Sequence, residues 1–335
     1  MHTPARRHIF RALALCSSLA LAGALAACGE AGSSGTAEPD ARATGKGCAP
    51  VAGEKLVVLP DDKELQNVEN VVPAVNADKS SPELTAALNQ VSESLDTEKL
   101  IALNKAVDVE RESPQKAAAA YAKQAGIGKG LKQGSGSVVI GAADFSESKT
   151  LGALYAYALN AAGFDASVRT IGNRELYEPA LEKGDIHVVP EYAGTLAEFL
   201  NQKVNGKDAK PAASSDLDTT MEALIKLGKE RGLTFGRPSA AADQNAFAVT
   251  EAFADKHGLK NLSDFAEMCS GKATILAGPP ECPKRPFCQP GLKQTYGLAV
   301  GSFKSLDAGG PQTKKALRSG EATLGLVFSS DAELG

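Results

Sequence analysis

The stretch Gly184-Asp185-Ile186-His187-Val188-Val189-Pro190-Glu191-Tyr192-Ala193-Gly194-Thr195 constrains this chain more than any other. Ile186, Val188 and Val189 read as a buried strand that stops at Pro190, because proline cannot donate to a sheet ladder. A Glu-Tyr pair is thereby delivered to a sheet edge. Gly194 has no Cβ and lets backbone approach a ligand closely. Thr195 is placed to cap the following helix, residues 196–201. Ligands of open α/β sheets sit at this end of the strands. A tyrosine face beside a hydroxyl suits binding better than catalysis.

Around that stretch strand and helix alternate. Residues 137–141, 166–171 and 185–189 read as strands. Between them, Ser146 is the expected N-cap of a helix over 147–162, whose one face carries Leu151, Leu154, Tyr155, Ala158 and Leu159. A second helix over 174–182 is closed by Gly184. An amphipathic helix over 221–231 follows, then short strands near 246–250, 273–277 and 323–328. Strands separated by helices predict parallel α/β sheets.

The amino end reads as an export signal. Arg6, Arg7 and Arg11 precede an apolar run, residues 12–27, that is short for a bilayer span. It closes on Leu25-Ala26-Ala27-Cys28-Gly29, which resembles the lipobox of bacterial lipoproteins, with Cys28 as the acylated residue. Residues 28–47, rich in Gly, Ser, Ala and Thr, form a flexible tether. A formal net charge of -4 and the lack of a dense Lys/Arg run argue against a nucleic-acid partner.

Of six cysteines, Cys16 leaves with the signal and Cys28 takes lipid. Cys48, Cys269, Cys282 and Cys288 remain, an even number in an oxidising compartment, which predicts two disulfides. Zinc is disfavoured, since Cys282 and Cys288 lack ligand spacing and have no neighbouring histidine. His187 and His257 both read as structural. No nucleophile elbow, zinc-protease helix or phosphate loop occurs, and Asp61-Asp62 reads as a strand-end turn. No enzyme activity, metal or cofactor is expected.

Six segments occur in order: Gly141-Ala142-Ala143-Asp144-Phe145-Ser146-Glu147, Gly172-Asn173-Arg174-Glu175, residues 190–195, Ala242-Asp243-Gln244-Asn245, Gly278-Pro279-Pro280-Glu281-Cys282-Pro283 and Asp307-Ala308-Gly309-Gly310. Together they resemble the substrate-binding proteins of osmoprotectant ABC importers, which bind glycine betaine, choline and related quaternary amines. The resemblance implies a two-lobed α/β fold of the periplasmic-binding-protein type II. Residues 55–63, 70–73, Leu88-Asn89, Leu103-Asn104 and Val107-Asp108 are similar to the carboxy-terminal part of the same family, yet stand first here. The order therefore reads as circularly permuted: signal 1–27, tether 28–47, a family carboxy-terminal segment 48–126 completing lobe A, a linker 127–136, lobe A 137–240 and lobe B 241–335. A partial duplicate fused to a truncated protein is the alternative.

A quaternary ammonium has no N–H, so aromatic faces must select it. The resemblance implies Tyr192, Phe247 and Phe328 as cage walls, Arg285 as a carboxylate-binding cation and Thr195 as a hydroxyl donor. Glu69 stands where the family usually has another aromatic wall, and Ala143 where some relatives have a basic residue. A carboxylate at Glu69 would attract an ammonium group and repel a ligand carboxylate. This weakens the case for glycine betaine and leaves room for choline-like cations; the sequence leaves the choice between them open. Cys282–Cys288 is expected to fix the loop bearing Arg285. Cys48–Cys269 is expected to retie the lobes, a proximity inferred from the family's order, with residues 55–59 as a strand of lobe A. The implied partners are a small quaternary amine, an ABC permease with its ATPase, and the membrane through the lipid anchor. A sensing or interaction lipoprotein that keeps the fold without transport is the alternative function.

Overall fold

The computed structural model describes residues 36–37 and 43–334; the expected signal, and Cys28 with it, lies outside them. Strands β1 (Thr36–Ala37), β2 (Leu56–Leu59), β3 (Val71–Asn76), β4 (Ser137–Ala142), β5 (Asp165–Thr170), β6 (Val188–Tyr192), β7 (Leu233–Phe235), β8 (Asn245–Thr250), β9 (Gly271–Gly278), β10 (Val300–Ser305) and β11 (Leu324–Phe328) form two sheets. One has the order β5-β4-β6-β3-β7 and the other β1-β10-β9-β11-β8-β2. Each is a parallel core (β5, β4 and β6; β10, β9 and β11) flanked by antiparallel strands. The fold is thus two α/β lobes, A and B, each with its own sheet.

Helices α1 (Pro82–Ser94), α2 (Thr97–Asp108), α3 (Pro114–Ala125), α4 (Ser146–Ala161), α5 (Arg174–Lys183), α6 (Ala193–Asn205) and α7 (Leu217–Glu230) cover the sheet of lobe A. Their starts are written locally. Ser81, Asp96, Ser113 and Asp216 each accept a hydrogen bond from the backbone N–H three residues on, and Pro82 and Pro114 open their helices. These caps satisfy N–H groups that have no partner within the helix. Helix α4 lies at the centre, with its predicted face of Leu151, Leu154, Tyr155, Ala158 and Leu159 fully buried in one cluster with α1, α2 and α3. Lobe B carries α8 (Glu251–His257), α9 (Leu262–Cys269), α10 (Gln289–Tyr296) and α11 (Pro311–Arg318).

The proline of the opening motif does not end its strand. Pro190 lies opposite Pro73 in the β3–β6 ladder, so two missing donors fall in one rung and the flanking residues carry the pairing to Tyr192. The strand expected at 185–189 is displaced toward the cleft accordingly. Gly184, at φ 78°, closes α5 as expected.

Two sequence expectations are overturned by the sheets. Strand β2 pairs with β8, from Leu56 opposite Thr250 to Leu59 opposite Phe247. Segment 48–126 therefore divides between the lobes: its first strand belongs to lobe B and its remainder to lobe A. Consequently no lobe crossing is cut. Residues 60–70 and 236–244 both cross, side by side, joined by a bridge between Asn70 and Ala242. Val71 N–H donates to Ala241 O at 2.9 Å, and Asp243 N–H to Glu69 O at 3.0 Å. Both expected disulfides are present, Cys48–Cys269 and Cys282–Cys288. However, Cys48 and Cys269 belong to one core of lobe B, with Phe253 and Phe265. Their bridge staples that lobe and ties nothing across the hinge.

Residues 126–136 pack rather than dangle. Gln90 accepts from Gly128 N–H at 2.6 Å and donates to Lys129 O at 3.1 Å, and Gly134 N–H donates to Ala162 O at 2.7 Å.

Candidate functional site between the lobes

A cavity of about 780 Å³ lies between the lobes. Lobe A supplies the loop 143–145 between β4 and α4, the end of β6, the first turn of α5 with the loop before it, and one face of α6. Lobe B supplies Asn245, the loop 279–288, residues 306–308, Leu326 and Phe328, while Glu69 and Asp243 come from the two crossings. A volume of this size suits a small organic ligand.

Aromatic rings line much of it: Phe145, Tyr177, Tyr192, Phe199, Phe287 and Phe328. Phe145 stacks on Phe328 from the other lobe, with centroids 5.6 Å apart, and on Tyr192 at 6.5 Å. Phe247 is not among the lining residues. It is 1% exposed and packs in the core of lobe B with Leu59 and Leu276. The cage role expected for it is corrected: β8 turns that ring into its own lobe and shows Asn245 to the cavity. Phe145 and Phe287 take up the wall instead. Both lie inside quoted segments or between the paired cysteines, so adjacency to those segments was the available signal.

Glu191 does not face the ligand space as a free carboxylate. Arg174 Nε and Nη2 hold its two oxygens at 2.9 and 2.7 Å, and the Tyr177 hydroxyl donates to it at 2.8 Å. Arg174 Nη2 also donates to Thr195 Oγ1 at 2.8 Å. Thr195 in turn donates to Glu69 Oε2, from Oγ1 at 3.3 Å and from N–H at 3.1 Å. Its hydroxyl is engaged on both sides, and α6 begins at Ala193 without a side-chain cap; neither the capping role nor a free hydroxyl is realised. Gly194 does permit a close approach, but to the chain itself, since a Cβ there would lie 2.6 Å from Val68 O. Burial pushes Glu69 up to about 8, against the opposing hydrogen bonds from Thr195.

Beneath the rings lies a polar network that sequence reasoning missed. The Tyr192 hydroxyl donates to Glu147 Oε1 at 2.5 Å, and Ser330 Oγ and Asn104 Nδ2 each donate to Glu147 Oε2 at 2.6 Å. Ser330 N–H donates to Asp243 Oδ1 at 3.0 Å. The network thus joins α2, α4, β6, a crossing and the segment after β11. Burial raises the pKa of Glu147. It raises that of Asp243 too, and the Glu147 charge beside Asp243 adds to the effect. Both acids stood inside quoted segments, but nothing local marks them as buried. Ser146, expected as a cap, spends its hydroxyl on Asp108 at 3.0 Å.

Arg285 reaches across the cleft mouth. It is paired with Glu175 of α5 at 2.9 Å and lies 3.5 Å from Glu281. Next to it, Asn173 Nδ2 donates to Glu281 at 3.3 Å. The arginine expected to hold a ligand carboxylate is committed to two protein carboxylates. Ala143 lines the cavity.

Among known proteins, residues 49–124 and 136–335 match the model for the substrate binding domain of the ABC-type glycine betaine transport system. The chain is 29% identical over 179 residues to a glycine-betaine-binding protein of Pseudomonas aeruginosa, covering 51% of this chain and 55% of that one. It is 25% identical over 189 residues to the glycine betaine-binding protein YehZ of Escherichia coli, covering 56% and 60%. It thus spans just over half the length of these relatives. Among solved structures it is similar to a glycine betaine/carnitine/choline ABC transporter, with 21% identity, a TM-score of 0.37 and coverage of 58% and 70%. The two matched blocks take in both lobes and the cavity between them, and the chain belongs to the family of substrate-binding domains of ABC-type glycine betaine transport systems.

Proposed function

We propose that this protein is the extracytoplasmic solute-binding component of an ABC importer, taking a quaternary-amine solute between its lobes and presenting the closed form to a permease and its ATPase. The observation that carries this reading is the stack of Tyr192, Phe145 and Phe328, rings from both lobes facing one cavity. A methylated ammonium gains roughly 0.5–2 kcal/mol from a well-placed ring, and a ligand touching both lobes favours closure because only the closed form offers both walls. Lipid anchoring through Cys28 is part of the proposal and rests on the Leu25–Gly29 motif. So is the permuted order. It is supported by the packing of Leu334 beside the Leu56 cluster, where the family order would run on into β2, and by the two matched blocks on either side of 125–135. Calorimetry with glycine betaine, choline, carnitine and proline betaine tests the function. Heat from at least one is expected; heat from none would remove the reading.

A further inference from the structure

The cavity wall and the layer just behind it hold more carboxyl groups than cations. Glu69 and Asp243 line the cavity, while Glu147 and Glu191 lie behind it, bound to the lining residues Tyr192 and Arg174. Glu69, Glu147, Glu191 and Asp243 are 1, 4, 1 and 5% exposed. The one buried arginine among them, Arg174, is held on two nitrogens by Glu191, so these two charges offset each other. Glu69, Glu147 and Asp243 have no ion-pair partner among the described residues. Glu69 Oε1 is buried without any hydrogen-bond partner, although Glu69 lines the cavity. Beyond Glu147, Lys314 is taken by Asp331 at 2.9 Å and Glu333 at 3.5 Å, and Asp108 adds another acid. Arg285 is taken at the mouth, which leaves the exposed Lys207 and Lys284 on the rim.

Three carboxyls cannot all be ionised in so small a buried space. Burial favours the protonated form of Glu69 and of Asp243. A cation entering the cavity reverses this preference, since opposite charge close by in a low-dielectric site favours the carboxylate.

We propose that this site selects an organic monocation without a carboxylate, and that binding releases a proton from the Glu69–Asp243–Glu147 cluster to solvent. The inference rests on the reading of the cavity as an amine site. Charge balances: a neutral carboxyl and a cation become a carboxylate–cation pair and a free proton. A zwitterion would set its own carboxylate beside these acids and gain nothing from the release.

The test is calorimetry with choline as the monocation and glycine betaine as the zwitterion, at about pH 6 and about pH 7, each in two buffers of different ionisation enthalpy. Choline is expected to bind more tightly than glycine betaine, with a buffer-dependent heat reporting proton release. Its affinity should rise with pH by up to about tenfold per unit for one proton released. Glu69→Gln and Asp243→Asn should each flatten that rise, with folding checked by thermal melts. The buffer dependence in the unmutated protein stands whether or not a variant folds. Glycine betaine binding at least as tightly as choline, or choline binding without a buffer-dependent heat, overturns this proposal and leaves the amine reading in place. Binding of neither ligand overturns this proposal, and the amine reading falls with it when carnitine and proline betaine also give no heat.

Discussion

Arg285, on the short loop closed by Cys282–Cys288, pairs across the cleft mouth with Glu175 at the start of α5, 2.9 Å away. The partners are 110 positions apart and belong to different lobes, so the contact exists only when the lobes are together. It fastens one lobe to the other across the cleft mouth. Arg285 also explains the lowered pKa of Glu175: burial opposes ionisation there, but the hydrogen bond and charge of the arginine outweigh it.

Removing this fastening should have a modest effect, because both side chains are about a third exposed or more. Such pairs contribute no more than about 1 kcal/mol. Arg285→Ala and Glu175→Gln are each expected to weaken ligand binding by up to about fivefold, equally for choline and glycine betaine, and less so at high salt. A loss confined to the carboxylate-bearing ligand would return Arg285 to the role of carboxylate receptor.

Tyr192 serves the ring stack and the buried network at once, and the two roles separate by substitution. Tyr192→Ala should weaken amine binding by about 1–2 kcal/mol. Tyr192→Phe keeps the face and should bind nearly as well, yet lower stability by about 1–3 kcal/mol, since Glu147 loses a donor where water cannot replace it. Calorimetry and thermal melts distinguish the two. Equal binding by the Ala variant and the unmutated protein would take Tyr192 out of the site.

The buried acids predict an inverted pH dependence. Glu69 titrates near 4.5 when unfolded and at about 8 when folded, so between those values the unfolded chain gives up a proton that the folded one keeps. Stability then falls as pH rises, by up to about 1.4 kcal/mol per unit for each such group. Asp243 and Glu147, also raised by burial, act in the same direction. Without ligand, denaturant melts should show lower stability at pH 8 than at pH 5, and Glu69→Gln should reduce the difference. An unchanged slope in that variant would assign the dependence to other groups.

The two disulfides should differ in what their loss affects. Cys48–Cys269 spans 221 positions, and chain entropy gives it up to about 5 kcal/mol. Because it lies within lobe B, Cys48→Ser with Cys269→Ser should lower the melting temperature strongly and leave affinity nearly unchanged under native conditions. Cys282–Cys288 closes a much shorter loop, for which the same model gives about 2 kcal/mol. Its loss should cost affinity more than stability, since that loop carries Arg285 and Phe287 into the cleft. The reverse pattern would contradict both assignments.

Local sequence determined the elements of this protein. Short strand-like runs marked β4, β5, β8, β9 and β11, helical spacing marked the buried face of α4, and Gly184 ended α5, because side-chain direction and φ are fixed by the residues concerned and their near neighbours. The motifs around Phe145, Tyr192 and Arg285 likewise pointed to the cleft. Only the tertiary structure decided which partners those elements found. The Leu56–Leu59 run signals a strand but not a sheet, since any open edge offers the same row of N–H and C=O groups; it joined β8. Phe247 and Phe328 read alike, yet one fills a core and the other a cavity wall, because the facing lobe determines which rings remain uncovered. Thr195, Arg285 and Glu69 were legible as polar groups near a ligand, but their charges and hydrogen bonds were settled by residues up to 126 positions away. Electrostatic partnership depends on distance in space, and the chain acquires those distances only when its two lobes pack.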